Sequence, residues 1–495
     1  MQEDDHLFKV PVFEVKKSTT HSYGNFVVYC FSINFILGVG VLGVPNAFYK
    51  GGIVAGPLVM LIVTIFAMMS STWILETISR AQGIVDADDQ TKTRNPNATQ
   101  LFYISDTKFE MNQLCAMFLG KIGKIAYEIF LCLFAYGVLW SYAAVFAESM
   151  ASHVPLPISG WYTCEVAVDD SNTCSTLYIL YVLVFGLLVV PITCLNLTEQ
   201  KLLQITLTLF RYLSLGAMII ITLIGIATDP YSAHSPKSRP DTLPTRGPYV
   251  ADVKLFQLLG FSLLMPTCIY SQILHHAVPG FTQPAKDKKR LHIVYASTFL
   301  TTFIFYVVLG VVLAIYYGPN IMSTASLNFG TWRAGRSFSE SVPTWTTILI
   351  YVIILFPALD VISAFPLNGI ALGNNLHTGV FGENQKYMSK RWIQVLFRLL
   401  AAVPPLIGAI FVRDLSKLLS YAGLVGFIIT FVIPPVLNVV SRRVCEKRFG
   451  CSKTPYTIPI ITSTPMCVFV SILGAMSVVF CVVMNIYESS SEHLN

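Results

Sequence analysis

The sequence predicts an all-α polytopic membrane protein of eleven spans, and three observations carry that expectation. Of 495 residues, 54% are hydrophobic and 12% charged, about half the ~25% charge of a soluble domain, and the mean hydropathy is +0.63. Apolar runs of about 20 residues, enough for a ~30 Å hydrocarbon core, recur along the whole chain. The first and sixth of these runs are interrupted by glycine and proline at corresponding places.

Residues 1–23 are polar, carry Lys9, Lys16 and Lys17, and read as a cytosolic tail. They do not resemble a signal peptide, so the first span must also direct insertion. The spans fall near 24–49, 53–79, 124–150, 176–196, 202–228, 252–277, 291–317, 343–372, 391–412, 415–441 and 465–487. Only Val412 to Asp414 separate the ninth from the tenth. The stretch Phe109 to Leu119 spaces its apolar residues like an interfacial helix leading into the third span.

Orientation follows from the basic residues. Of the 33 Lys and Arg, 22 fall on the side of the N-terminus and 9 on the other, while Arg211 and Arg398 lie within spans. The N-terminus is therefore expected in the cytosol and Asn495 outside. Topology accounts for the net charge of +6 without a nucleic-acid partner. The sequons at Asn97 and Asn196 fall on the side where no glycosylation occurs, and 229–250 reads as an irregular proline-rich cap. Cys164 and Cys174 share an outside loop, where an oxidising face favours a structural disulfide over a metal site.

The chain is organised around Asn34 to Pro45 in the first span. Gly38, Gly40, Gly43 and Pro45 crowd into eight residues, each glycine costing about 1 kcal/mol of helix propensity and the proline removing a donor. Close helix packing is one reading. An unwound binding segment is the other, since broken helices offer backbone dipoles to a substrate at the membrane midplane. Gly260 and Pro266 interrupt the sixth span similarly. Two sets of five spans (24–228 and 229–441), entering the membrane in opposite senses, would bring the two breaks together. An eleventh span with its cytosolic loop and a short outside C-terminus follows (442–495).

Here a resemblance becomes specific. Asn34 through Pro45, followed by Ala47-Phe48 and Gly51-Gly52, resembles the first-helix signature of the amino acid/auxin permease superfamily. Leu355-Phe-Pro357 in the eighth span, and Ala422-Gly423-Leu424 to Ile433-Pro434-Pro435 in the tenth, also resemble it. Within it, Lys201 to Ile205 and on to Arg211, and Pro366 to Asn374-Asn375, are most similar to the transmembrane protein 104-like branch. The resemblance implies a leucine-transporter-like fold of five plus five inverted spans and one extra helix. It also implies transport of amino acids by symport with protons or sodium. Family habit points to a lysosomal or related endomembrane, with the plasma membrane as the alternative.

Ionisable groups at depth cost at least ~2.5–3.5 kcal/mol and need a partner or a task. Glu76 and Arg80, four apart, read as a snorkelling interfacial pair, Glu128 with Lys124 similarly, and Glu148 as reached by water near the outside. Asp360 has no cation within one turn, and Ser363 shares its face. The resemblance sets this part of span eight beside the broken first helix, where sodium-coupled relatives bind their ion. Asp360 would then carry a coupled proton or, with Ser363, ligate sodium; a static ion pair with Arg211 or Arg398 is the third reading. In proton-coupled members of the wider fold a span-five cation stands where sodium would sit, which Arg211 matches. A guanidinium keeps its proton, so the titrating group would be Asp360 or a histidine. His275 and His276 close the sixth span, most simply as interfacial residues.

The expected site follows from these elements. Amides from Gly38 and Val39 through Gly40, Val41, Leu42 and Gly43 would take an α-carboxylate. Carbonyls near Gly260, Phe261, Ser262 and Leu264 would take an α-ammonium. Asn34, Tyr136, Trp140 and Ser262 would select the side chain, and Tyr270 and Ser271 would line the site. The expected function is secondary active transport of neutral amino acids, proton-coupled in preference to sodium-coupled, with no cofactor beyond the coupling ion. An amino-acid sensor is the alternative, although 1–23 offers little docking surface for one. Neither a channel filter nor an enzyme motif such as His-Glu-x-x-His is visible, so no catalysis is expected.

Overall fold

A computed structural model describes residues 23–90, 102–105, 109–157, 162–166, 169, 171–194, 201–228, 253–332, 341–381 and 390–492. Residues 1–22, both sequons and the proline-rich stretch 229–250 lie outside them. Ten of the described helices are long and apolar enough to cross a membrane, and one bent pair makes eleven. That pair, α1 (Asn25–Ile36) and α2 (Gly40–Gly51), forms span one with a 54° bend. Spans two to five are α3 (Ala55–Gln90), α4 (Met111–His153), α5 (Asn172–Cys194) and α6 (Lys201–Thr228). Span six is α7 (Phe261–Ser271) with the short α8 (Val278–Thr282). Then follow α9 (Leu291–Tyr317), α10 (Thr344–Phe381) and α11 (Arg391–Phe411). Span ten is α12 (Leu415–Phe427) and α13 (Ile433–Phe449), and span eleven is α14 (Thr464–Glu492). Among the described residues there are no strands, only isolated bridges such as that between Tyr23 and Ala285.

Burial orders the helices. Span six is the most enclosed, with 72% of its most apolar window buried, whereas span eleven has 28% and faces outward. α7 packs against α2, α12 and α14, while α4 and α10 pack on each other. Two glycines make the tightest crossings possible. A Cβ on Gly260 would lie 1.9 Å from the Lys50 carbonyl oxygen, and one on Gly423 2.1 Å from that of Pro266. Backbone therefore touches backbone where spans one and ten cross span six. In span ten, Pro434 and Pro435 lack the amides that Thr430 and Phe431 carbonyls would accept, and the helix widens there into a π-turn over Ile428–Val432.

Several helices outrun the predicted spans. α3 continues to Gln90, a length of about 54 Å that carries it past the hydrocarbon. α4 begins at Met111, its Glu110–Gln113 capping box opening a first segment that ends at Gly120, where φ is 70°. Met111, Leu114, Cys115 and Phe118 of this segment are buried, so its apolar stripe turns toward protein. On the opposite face Cys164 and Cys174 are joined by a disulfide. Asp169 stands near both sulfurs, yet a disulfide has no thiolate to offer a metal. The Tyr162 hydroxyl (2.5 Å) and the Ser171 amide (2.9 Å) donate to Asp169, holding its carboxyl below the usual range.

The expected surface charges are corrected here. Lys124 and Glu128 do pair at 3.6 Å near the helix surface. Glu76 and Arg80, however, do not snorkel: they are 0% and 1% exposed and 3.2 Å apart. Glu76 accepts hydrogen bonds of 2.5 Å from both the Asn438 amide and the Thr457 hydroxyl. Arg80 donates to the Ser452 carbonyl (3.0 Å) and the Ser441 hydroxyl (3.1 Å). The pair thus clamps α13 and the following loop onto α3, which no reading of α3 alone could reveal. Glu148 is likewise not wet; it is 4% exposed and accepts from Thr324 at 2.6 Å in the segment between spans seven and eight. Replacing one partner of a buried pair strands the other, at about 3–5 kcal/mol. Glu76→Leu should accordingly melt well below the wild type in detergent, and an unchanged melting curve would rule the clamp out.

Candidate functional site

The break in span one leaves the last carbonyls of α1 without intrahelical partners. The Ile33 carbonyl accepts the Leu37 amide and the Ile36 carbonyl the Gly38 amide, each at 2.8 Å, but that of Asn34 depends on a distant side chain. Arg211 of α6 donates through Nη1 to the Asn34 carbonyl at 2.5 Å and through Nη2 to Asp360 of α10. Both charged residues are nearly sealed, at 3% and 5% exposed. The Tyr306 hydroxyl of α9 lies 2.9 Å from the Ile36 carbonyl and 2.8 Å from that of Ser271, where α7 ends. One phenol therefore serves the breaks of both spans.

The break in span six lies later than the sequence suggested. α7 runs straight through Pro266 and ends at Ser271; the unwound residues are Gln272 to Leu274. The reason is a substitute donor. Pro266 cannot serve the Ser262 carbonyl, and the Ser420 hydroxyl donates there instead at 3.2 Å. The true break is held by Gln272, which is 1% exposed. Its amide donates to Thr64 (3.0 Å) and its carbonyl accepts from Thr302 (2.9 Å). His275, buried rather than interfacial, has Nε2 3.0 Å from the Ala67 carbonyl oxygen.

A cavity of about 530 Å³ rises between spans one, three, six and eight. It opens on the side where α4 begins and α8 ends, past Met111 and Phe281, and reaches inward to Asn34, Tyr142 and Arg211. Ser363, Asn368 and Asn375 line it from α10, and His276 from the end of span six. The His276 ring sits against Phe35 and Phe134, at centroid distances of 5.1 and 5.5 Å.

The predicted residues separate into groups. Asn34, Arg211 and Ser363 line the cavity, and Asp360 is joined to it through Arg211. Ser363 turns its hydroxyl back to the Asp360 carbonyl oxygen at 2.9 Å. Arg398 donates to the Cys194 carbonyl at 3.2 Å. Gly38, Val39, Gly40, Val41, Leu42 and Gly43 lie just beyond the cavity's inner end. The Val41 and Leu42 amides are used in the first turn of α2, leaving those of Val39 and Gly40 without an intrahelical partner. Tyr270 covers this point: its ring would meet a Cβ on Gly40 at 2.9 Å, and its hydroxyl lies 3.0 Å from that of Ser141. Gly260, Phe261, Ser262 and Leu264 sit at the far end of α7, with Gly260 and Leu264 packed on Lys50 and Gly51. Tyr136 and Trp140 face α11 instead, donating to the Leu400 (2.8 Å) and Val412 (3.0 Å) carbonyls. Sequence reasoning missed Tyr142, Gln272 and Tyr306. A glutamine within an apolar run, and Thr302 one turn before Tyr306 on one face, were the available signals.

Residues 24–484 match the family described as transmembrane amino acid transporter protein. Transmembrane protein 104 of Gallus gallus is 25% identical, over 96% of this chain and 98% of that protein. Its homolog in Dictyostelium discoideum is 26% identical over 89% and 93% respectively, and that in Drosophila melanogaster 24% over 87% and 90%.

The cavity's one-sided opening is testable by chemistry. Ala371→Cys, made without the exposed Cys451, should react with a membrane-impermeant thiol reagent added on the side where α1 begins. Reaction only from the opposite side would contradict the geometry.

Proposed function

The chain belongs to the transmembrane amino acid transporter protein family, and from that premise we propose that it is a proton-coupled secondary transporter of neutral amino acids. The observation that carries this reading is Arg211, which ties the broken first span to Asp360 at the inner end of a one-sided cavity. Reading spans one to five and six to ten as an inverted pair, the bundle alternates its opening around the two breaks. The basic-residue bias puts the N-terminus and the cavity mouth in the cytosol, so this state faces inward. The compartment favoured is the lysosome or a related endomembrane.

The substrate enters the cavity as a zwitterion. Its carboxylate is taken by the amides of Val39 and Gly40 at the positive end of α2 once the Tyr270 ring moves aside. Its ammonium is taken by the Ser271 carbonyl, which keeps a second lone pair beside Tyr306. This replaces the sequence-based placement at Phe261 to Leu264, whose carbonyls lie at the far end of α7.

Coupling follows from the ion pair. With Arg211 bound to it, the Asp360 carboxylate already has its cation, which disfavours sodium at the same oxygens. The proposed carrier is Asp360, exchanging its Arg211 partner for the coupled proton when movement of α1 or α10 parts the pair.

In proteoliposomes, an imposed proton gradient alone should drive uptake of a radiolabelled neutral amino acid. Asp360→Asn should cut that uptake at least tenfold and flatten its pH dependence. An unchanged pH profile in this variant removes Asp360 as the carrier, and uptake that requires sodium makes Asp360 and Ser363 ion ligands instead. Amino-acid binding with no flux under either gradient would favour a sensor.

A further inference from the structure

A second pocket, of about 770 Å³, lies on the same face as the cavity mouth but outside the transport path. Its floor is the connection between spans six and seven, which presents Lys286, Lys288 and Lys289. Asn25 at the start of α1 and the strip from Tyr103 to Ser105 form the other walls.

The lysines stand on a braced backbone. Tyr23 pairs with both sides of the connection, its amide donating to Pro284 (2.7 Å) and its carbonyl accepting from Lys286 (2.9 Å). The Tyr456 hydroxyl donates to the Lys288 carbonyl at 2.5 Å. Asp287 caps the Lys289 amide at 3.1 Å and lies 3.7 Å from Arg290, so its carboxylate is engaged along the chain. The opposite wall is fixed too: the Ser79 hydroxyl donates to the Phe102 carbonyl, and the Phe102 ring packs on Phe449. The Lys289 ammonium lies 5.7 Å from the centre of the Tyr103 ring, beside an aromatic face at the pocket rim.

Lys286 and Lys289 are exposed at one pocket that Asp287 also lines, and an anion bound there would gain from both cations. The pocket lies where spans one, six and seven begin or end, the depth at which lipid headgroups sit. Basic pockets at this depth on a cytosolic face suit phosphorylated lipids. We propose that this pocket binds the phosphorylated headgroup of a phosphoinositide lipid. The ligand chemistry is the phosphomonoester, and the source is the bilayer. A headgroup there would bridge the start of α1 to the segment that follows α8, and Phe35 of α1 and Phe281 of α8 line the transport cavity. It would brace the inner halves of both broken spans.

The test uses the full chain in nanodiscs, where both leaflets are accessible and neither orientation nor transport enters the result. Phosphatidylinositol 4,5-bisphosphate should bind more tightly than phosphatidylserine at matched charge. Lys286→Gln/Lys289→Gln should weaken it roughly thirtyfold, at about 1 kcal/mol per lysine. Removing two exposed charges on the same face away from the pocket, as Lys121→Gln/Arg443→Gln, should leave binding unchanged. Equal loss in that control, or equal binding of phosphatidylserine, would mean diffuse attraction and overturn the site. Soluble inositol trisphosphate should compete, but weakly; binding as tight as the lipid would overturn the lipid assignment in favour of a free phosphate compound.

Discussion

Inside a bilayer an interrupted helix must find donors for its freed carbonyls from somewhere other than water. In this protein the critical donor is the guanidinium of Arg211. It satisfies the end of α1 through the Asn34 carbonyl and the buried charge of α10 through Asp360. Neither residue would be tolerable alone at this depth. Together they tie the break in span one to a carboxylate in span eight.

The same logic recurs at each irregularity in the bundle. Tyr306 attends to both breaks, Gln272 fastens the second to spans two and seven, and Ser420 supplies the donor that Pro266 lacks. The distribution matters functionally. Span six is kept helical through Pro266 and allowed to unwind only at Gln272 to Leu274, level with the Ser271 carbonyl that Tyr306 shares with Ile36. The polar side chains thereby set the two breaks opposite each other, whatever the proline pattern suggests.

The face bearing the cavity mouth is built differently. There the helices extend beyond the hydrocarbon and are joined by charged clamps: Glu76 with Arg80 binds α3 to α13, and Asp88 pairs with Arg448 nearby. Spans two and ten are thus tied together, while the start of α1 meets the segment after α8 through the Tyr23 backbone bonds to Pro284 and Lys286. α1 and α8 both line the cavity, and neither takes part in these two clamps.

The sequence by itself determined how many times the chain crosses the membrane and where its first span breaks. Both are local properties, since hydropathy sums over a window and the break at Leu37 to Val39 holds Gly38 and adjoins Gly40, although Gly43 and Pro45 lie inside α2. Asp360 and Arg211 were legible as anomalies, each an ionisable residue inside an apolar run. Their pairing was one of several possibilities, because the partners lie 149 residues apart. Only the tertiary structure decided that Arg398 turns to Cys194, that Glu76 and Glu148 are buried, and that Tyr136 and Trp140 face span nine. It also decided that Pro266 does not break its helix. In each case the outcome depends on which distant residue supplies a hydrogen bond, and that information is in the packing of spans rather than in the pattern within any one of them.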